Sequence, residues 1–431
     1  MAHESHKKTL PADLGAPAFV DTWKTRAIIV GLVFCVISAI FALLDRSAGN
    51  DPLDHLARAW VLGLMVTFGF AVGGLALLMV QYCSGGKWGL LLRRPLEAMT
   101  RTLPLVFIYW AVILIPPFMD RLYLWARVKN VGAALQAGTI SEIEAHCILF
   151  KRPMLNPGSF LWVGLLCFAI WGFYTWHLNR LGALRDQQGP DATPRWIKKL
   201  ENISAPGLIV YAITITAASV YWVMSMDVKW FSTVYGLLFL VEQGFQVLAF
   251  AIIVSVALSK DEPFRTLLRQ TEQHDLGKFL FAFVMLNIYL TFGQWLIIWS
   301  GNLPNEINWY LDRIRGGWGI IITLDFIFHW LVPFTMLLSR DLKRNKKRIT
   351  RVCQFMIFAV AFNQFWLIEP NFPDAARNLH FSWGIMQYAA VPVAMTAFWV
   401  AFFCTRLKTR PLVQVNDPHL EEILEPEHAI A

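Results

Sequence analysis

The chain has 431 residues, of which 56% are hydrophobic and only 16% carry a charged side chain. Since a soluble domain carries about 25% charged residues, this composition excludes an ordinary soluble protein. The formal net charge is +8, but the cations stand in short stretches between apolar runs, which argues against a nucleic-acid-binding surface. The composition therefore predicts an integral membrane protein.

Ten apolar segments are each long enough to cross a bilayer, which takes about 20 residues of helix. Because lipid-exposed backbone must satisfy its own hydrogen bonds and the lengths do not suit barrel strands, all ten are predicted to be helices. The fold class is therefore all-α, with a polar N-terminal segment over 1–26, a membrane domain over 27–405 and a tail over 406–431. The ten segments cover roughly 27–44, 56–82, 102–119, 157–176, 204–225, 229–258, 277–299, 317–338, 350–369 and 384–405.

The basic residues are distributed unequally between the two sets of connecting segments. With the N-terminus placed inside, the inside segments hold 27 of the 38 Lys and Arg residues and the outside segments hold 11. Cytoplasmic loops are enriched in these residues, so the N-terminus and the C-terminus are both predicted to face the cytoplasm.

The inside connection over 85–98 mixes leucines with Lys87, Arg93 and Arg94. This mixture is typical of a stretch that lies in the membrane interface.

The outside connection over 120–156 is the longest of its kind in the sequence. Within it, Ser141 and Glu144 have the spacing of a helix capping box. A connection of this length indicates either a docking surface for an extracytoplasmic partner or a lid over the helices.

The sixth segment carries a carboxyl group deep in the bilayer. Glu242 stands in GLLFLVEQGFQ, residues 236–246, roughly 18 Å along the helix at 1.5 Å per residue. An ionisable side chain at that depth costs about 2.5–3.5 kcal/mol on insertion scales, so it normally has a partner or a function. Gln246 lies four residues further on and is predicted to share its face.

Segments seven to nine add polar side chains. These are Asn287 and Gln294 in segment seven, Asp325 and His329 in segment eight, and Asn363, Gln364 and Glu369 in segment nine. Buried amides commonly join helices to one another, and an Asp and a His one turn apart can neutralise each other. The same groups are also the components of a proton relay, since a carboxyl in low dielectric can alternate between charged and neutral forms and His titrates near neutral pH.

Several kinds of cofactor site are not predicted. His329 is the one deep histidine in the sequence, whereas a di-haem protein needs pairs on facing helices. The six cysteines form no CxxC and no metal-ligand spacing, and no P-loop or dinucleotide-binding motif occurs. We therefore expect no cofactor and no metal bound by this chain itself.

The tail after Arg410 turns acidic. It is predicted to be disordered or to contact another subunit. Its acidic residues are Asp417, Glu421, Glu422, Glu425 and Glu427.

Five stretches spread over 27–405 carry a resemblance to a known family. They are QYCSGGKWGLLLRRPLEA (81–98), KRPMLNPGSF (151–160), VYWVMSMDVKWFSTVYGLLF (220–239), LTFGQWLIIWSGNLPNEINWY (290–310) and FHWLVPFTMLLSRDLKRN (328–345). On these stretches the chain resembles the polysulfide-reductase-like (NrfD-like) membrane subunits, in particular the second such subunit of alternative complex III, a bacterial quinol:cytochrome c oxidoreductase.

The resemblance implies ten transmembrane helices, eight of them in two four-helix bundles, with the first and last helices peripheral. It also implies a place in the bacterial inner membrane beside an iron–sulfur protein, c-type cytochromes and a sister subunit that holds quinol near the outer face. Quinone binding by this chain itself stays open.

Three functions are compatible with these observations. In a redox-complex subunit, Glu242 would carry protons, Asp325 and His329 would form a second station, Gln246, Asn287 and Asn363 would extend the pathway, and Asp120 would lie near an outer exit or quinol pocket. The alternatives are a secondary transporter, which would purify alone, and a passive scaffold in which the buried polar groups only join helices.

Overall fold

The structure is a computed structural model that describes residues 13–188, 192–376, 378–414, 416–417 and 419–424. These residues form an all-α membrane protein, and none of them belongs to a β-strand. In chain order the helices are α1 (Phe19–Ser47), α2 (Pro52–Ser84), α3 (Lys87–Thr100), α4 (Leu103–Ile113), α5 (Pro116–Leu122), α6 (Leu124–Arg127), α7 (Val131–Gln136), α8 (Glu142–Lys151), α9 (Pro157–Asp186), α10 (Thr193–Trp222), α11 (Tyr235–Leu258), α12 (Phe264–Leu267), α13 (Gln270–Gly301), α14 (Pro304–Leu311), α15 (Trp318–Asp325), α16 (Val332–Leu338), α17 (Arg340–Arg344), α18 (Lys346–Ile368), α19 (Gln387–Leu407) and α20 (His419–Leu424).

The predicted all-α membrane fold is confirmed. Within the described ranges, nine helices are long and apolar enough to cross a membrane, where α15, a π-helical turn over Phe326–Leu331 and α16 count as one. A tenth span results if α3 and α4, which meet at an angle of 40°, are taken as one broken helix.

The third span differs from the prediction of one helix over 102–119. The structure divides this stretch among α4, α5 and the end of the turn that follows α3. The prolines explain the breaks: Pro104 lies in the first turn of α4, and Pro116 begins α5. Because proline lacks an N–H and its ring crowds the preceding turn, it favours a break in the helix before it.

Two four-helix groups make up the membrane domain. The first consists of α2, the α3–α4 pair, α9 and α10, and the second of α11, α13, the α15–α16 span and α18. The helices α2 and α11 pack against each other and join the two groups. The central position of α2 explains why its most apolar stretch is almost entirely buried inside the protein.

The first and last spans, α1 and α19, pack on each other at the side of α2. The outward side of α1 is apolar, with Leu32 and Leu43 more than half exposed. In a membrane protein such a surface faces lipid.

The first and last described segments of the chain lie at the same end of the molecule. Lys408 donates to Asp21 over 2.5 Å, and the backbone N–H of Leu412 donates to the carbonyl of Leu14 over 2.7 Å. We call this the inner end, after the sequence prediction, and the opposite end, which carries α5 to α8 and α14, the outer end.

The stretch over 85–98 was expected to lie in the membrane interface, but in the structure α3 is buried inside the protein from Gly89 onward. Its charged side chains are satisfied inside the protein: Arg94 pairs with Glu97 over 2.7 Å and with Asp186. The composition of such a stretch cannot distinguish a buried ion-pair network from a segment in the membrane interface, since both mix Leu with Arg.

Candidate functional site

A narrow cavity opens between the helices of the second group. Its volume is about 40 Å³, which is room for a few water molecules and far below the roughly 300–1,000 Å³ of a ligand pocket. Its polar lining is contributed by α11, α13, α14, the π-helical turn and α18. The polar side chains that line it are Glu242, Asn287, Thr291, Gln294, Tyr310, His329 and Asn363.

Glu242 is 6% exposed and lies in the wall of this cavity. The Nε2 group of Gln364, on α18, donates to both carboxyl oxygens, over 3.2 Å and 3.1 Å. In the described part of the chain, no Lys or Arg side chain pairs with Glu242. A fixed cation would hold the carboxylate in its charged form, so the amide contact leaves Glu242 able to exist with or without a proton.

Asp325 and His329 do not pair with each other in this structure. The carboxyl of Asp325 accepts a hydrogen bond from Asn363 over 2.9 Å. The His329 ring stacks on Phe245 with the centroids 5.1 Å apart. The helix widens into a π-helical turn directly after Asp325, so the α-helical spacing of four residues no longer places the two side chains together. Such turns occur frequently at functional sites.

The amides on α13 connect the cavity to aromatic side chains. Asn287 accepts a hydrogen bond from the Trp330 indole N–H over 2.7 Å. Gln294 accepts one from Ser232 over 2.9 Å and donates to the Tyr310 hydroxyl over 3.2 Å. This line of groups runs from Asn287 toward the outer end.

A buried cation that no sequence pattern indicates lies outward of Tyr310. Arg313 is 1% exposed, covers the face of Trp309 and donates to the side-chain oxygen of Asn371 over 2.6 Å. Burial lowers its pKa to about 10. The stretch DRIRGG, residues 312–317, has the composition of an ordinary polar loop. The sequence therefore does not distinguish the buried Arg313 from Arg315.

Two predicted pathway residues lie away from the cavity. Gln246 donates to the backbone carbonyl of Val66 on α2 over 2.8 Å, and therefore joins the two helix groups. Asp120 lies on α5 at the outer end, where it lines a separate surface cavity together with Arg121. The structure thus places Glu242, Asn287, His329 and Asn363 together, adds Asp325 through Asn363, and leaves Gln246 and Asp120 apart.

Chemically, the arrangement offers titratable groups around a volume the size of a few waters. Protons can pass between such groups through one intervening water.

No protein-family model matches this chain, and no curated protein matches it.

Proposed function

We propose that the chain is a membrane subunit of a bacterial respiratory quinol:cytochrome c, or quinol:acceptor, oxidoreductase, and that it moves protons through its second helix group. The resemblance in the five quoted stretches suggests this assignment. The two four-helix groups, with α1 and α19 beside them, agree with the architecture that the resemblance implies.

The observation that carries the proton role is the setting of Glu242. Its carboxyl is buried at membrane depth, lines a cavity with room for a few water molecules and accepts hydrogen bonds from the Gln364 side chain. Asn287, His329 and Asn363 share the same cavity. Since a buried carboxyl is costly in a membrane, a proton-carrying function accounts for its presence better than packing does.

In this proposal the redox chemistry takes place on other subunits. Quinol is oxidised to quinone with release of two electrons and two protons, and the electrons pass to iron–sulfur clusters and c-type haems of partner proteins. The narrow Glu242 cavity suits water and protons, and not a quinone ring.

Replacing Glu242 by Gln tests the proton role. The amide side chain in Glu242→Gln would keep the size of the carboxyl and a hydrogen bond to Gln364, but it could not release a proton. We expect the complex to assemble with its haem and iron–sulfur partners, and the number of protons moved per electron in reconstituted vesicles to fall.

The matched control is Glu142→Gln, because Glu142 is an exposed carboxylate in the first turn of α8. It should leave the proton-to-electron ratio unchanged. An unaltered ratio in Glu242→Gln would remove the proton role and favour a scaffold. Purification of the native protein without any haem or iron–sulfur protein would instead favour a transporter.

A further inference from the structure

A second polar cluster lies at the outer end, where α1, α2, α18 and α19 meet. It is built from Asp45 near the end of α1, His55 and Arg58 in the first turns of α2, Glu369 directly after α18, and Asp374 in the following loop. This cluster is independent of the Glu242 cavity and of the proposed proton role.

Three of these side chains are spaced like ligands around one ion. A ring nitrogen of His55 and carboxylate oxygens of Glu369 and Asp374 all lie within 4.8 Å of one another. The His55 Nε2 atom is 3.8 Å from Glu369 Oε1. Two ligand atoms at this distance can bind the same ion, since Zn–N and Zn–O bonds are each about 2 Å long.

The other ring nitrogen of His55 points at a buried carboxylate. Its Nδ1 atom is 3.4 Å from Asp45 Oδ2. Asp45 is fully buried, and its Oδ2 atom accepts no hydrogen bond from the residues that the structure describes. A carboxylate that orients the second nitrogen of a histidine is the usual arrangement around metal-bound imidazoles.

Gly384 makes room for this pair. A Cβ atom at position 384 would lie 2.2 Å from His55 Nδ1 and 2.5 Å from Asp45 Oδ2. The backbone therefore approaches the pair as closely as only glycine permits.

With its three carboxyls ionised and His55 neutral, the cluster carries a formal charge of minus two. Asp45, Glu369 and Asp374 contribute three negative charges, and Arg58 contributes one positive charge. Arg58 contacts Glu369 Oε1 over 3.1 Å and Asp374 over 2.8 Å. Because each carboxylate oxygen has two lone pairs, these bonds leave capacity for a further ligand. With neutral His55, a divalent ion would bring the total charge to zero.

The cluster is accessible from the surface. A cavity of about 630 Å³ opens beside it and is lined by His55, Arg58 and Asp374 together with Asp54 and Asp120. Arginines also line this cavity, among them Arg121, which pairs with Asp51 and Asp54. The opening therefore gives a hydrated ion a route to the cluster, while the cluster itself supplies the ligands.

We propose that His55, Glu369 and Asp374 bind a divalent transition-metal ion, with Asp45 orienting the histidine. One imidazole nitrogen with carboxylate oxygens suits Zn²⁺, and three protein ligands leave a position for water. The ion would join the start of α2 to the end of α18 and so connect the two helix groups at their outer end.

The test uses the purified full-length protein, stripped with a chelator and then titrated with Zn²⁺ alone. Bound zinc is measured by elemental analysis, and affinity by competition with a chelating dye. We expect one equivalent in the wild type, loss of that equivalent in His55→Ala, and a 10- to 100-fold weaker affinity in Asp45→Asn, as is usual for removal of an orienting carboxylate. His146→Ala, an exposed histidine at the same end, should bind like the wild type.

Asp374→Asn provides an independent variant if His55→Ala does not fold, because the Asp374 side chain is 55% exposed. It should also lower the zinc affinity by at least tenfold. Zn²⁺ should raise the thermal midpoint of the wild type but not of the ligand variants. Absence of a bound equivalent in the wild type, or unchanged binding in the variants that fold, would overturn the proposal.

Discussion

Gly164 on α9 faces the Trp110 ring so closely that no side chain fits between them. A Cβ atom there would lie 2.0 Å from the ring, and Trp110 is itself fully buried against Phe160 and Phe168. We predict that Gly164→Ala lowers the free energy of unfolding by about 1–3 kcal/mol, since overpacking of a tight core forces side chains out of place. Unfolding of the purified protein with sodium dodecyl sulfate in mixed micelles measures the change.

Gly172 on the same helix is the matched control, because a Cβ atom there would meet no atom within 4 Å. Gly172→Ala should be neutral or stabilising by up to about 1 kcal/mol, as alanine favours helix. Equal effects at 164 and 172 would show that helix propensity, and not the Trp110 contact, determines the outcome.

At the scale of single residues, the sequence identified Glu242 but not its partner. Helical spacing predicted that Gln246 shares the face of Glu242, and Gln364 was one of several polar side chains named in segments seven to nine. The structure pairs Glu242 with Gln364 and directs Gln246 to the backbone of α2. Residues four apart differ by about 40° around a helix. Because α11 packs against α2, α10, α13 and α18, that angle is enough to select a different neighbour, and no pattern in a single sequence encodes which one.

Among the elements, α8 begins with the capping box that the spacing of Ser141 and Glu144 predicts. The Glu144 N–H donates to Ser141 Oγ over 3.2 Å, and Glu144 accepts from the Ser141 N–H over 2.9 Å. We predict that Ser141→Ala weakens α8 locally by about 0.5–2 kcal/mol. Hydrogen exchange of the amides in 142–151 should accelerate severalfold, while other helices keep their rates.

The same cap makes the stability of α8 depend on pH. Burial acts to raise the pKa of Glu144, but hydrogen bonds from Ser141 and the charge of Lys229 outweigh it and lower the pKa below 4.5. A lowered pKa in the folded state means that the stabilisation is fully present above 4.5 and is lost as the pH falls through the folded value. Glu144→Gln should keep much of the cap and lose this pH dependence. Protection of the α8 amides, taken relative to their intrinsic exchange rates, that still falls in acid in this variant would argue against the assignment.

The long apolar helices were predictable because about twenty apolar residues in sequence have few alternatives to a membrane span. The broken α3–α4 pair could not be predicted in this way, because its charged side chains pair with residues far away in the sequence, such as Arg94 with Asp186. The outer cluster was missed for the same reason: Glu369 and Asp374 follow α18, far along the chain from Asp45 and His55 beside the α1–α2 connection.

At the scale of the whole molecule, the described part of the C-terminal tail packs on this chain's own inner end. Leu412, Val413 and Ile423 are buried, and α20 contacts α3 and α12. Of the two alternatives expected for the tail, disorder does not apply to residues 411–414, 416–417 and 419–424, whereas contact with another subunit stays a prediction. Glu425 and Glu427 lie outside the described residues. The tail closes over charged groups of α3 that would otherwise face the inner end.

Two of the ion pairs in the described part of this tail differ in burial. Asp417 pairs with Arg93 over 2.9 Å with both side chains at most 6% exposed, whereas Glu422 pairs with Lys87 over 3.0 Å with both at least 35% exposed. Removing one member of a buried pair costs about 3–5 kcal/mol, because the remaining charge stays desolvated. An exposed pair contributes about 0–1 kcal/mol.

We therefore predict that Asp417→Asn destabilises the inner end strongly and that Glu422→Gln, the control on the same segment, has little effect. Detergent-induced unfolding should separate the two variants by more than about 2 kcal/mol, on the difference between the buried and exposed contributions. Hydrogen exchange should show the loss concentrated in α3 and α20. Equal stabilities would mean that the apolar contacts of Leu412, Val413 and Ile423 hold the tail and that Arg93 finds sufficient compensation from Gln81, which accepts its Nε–H over 2.9 Å.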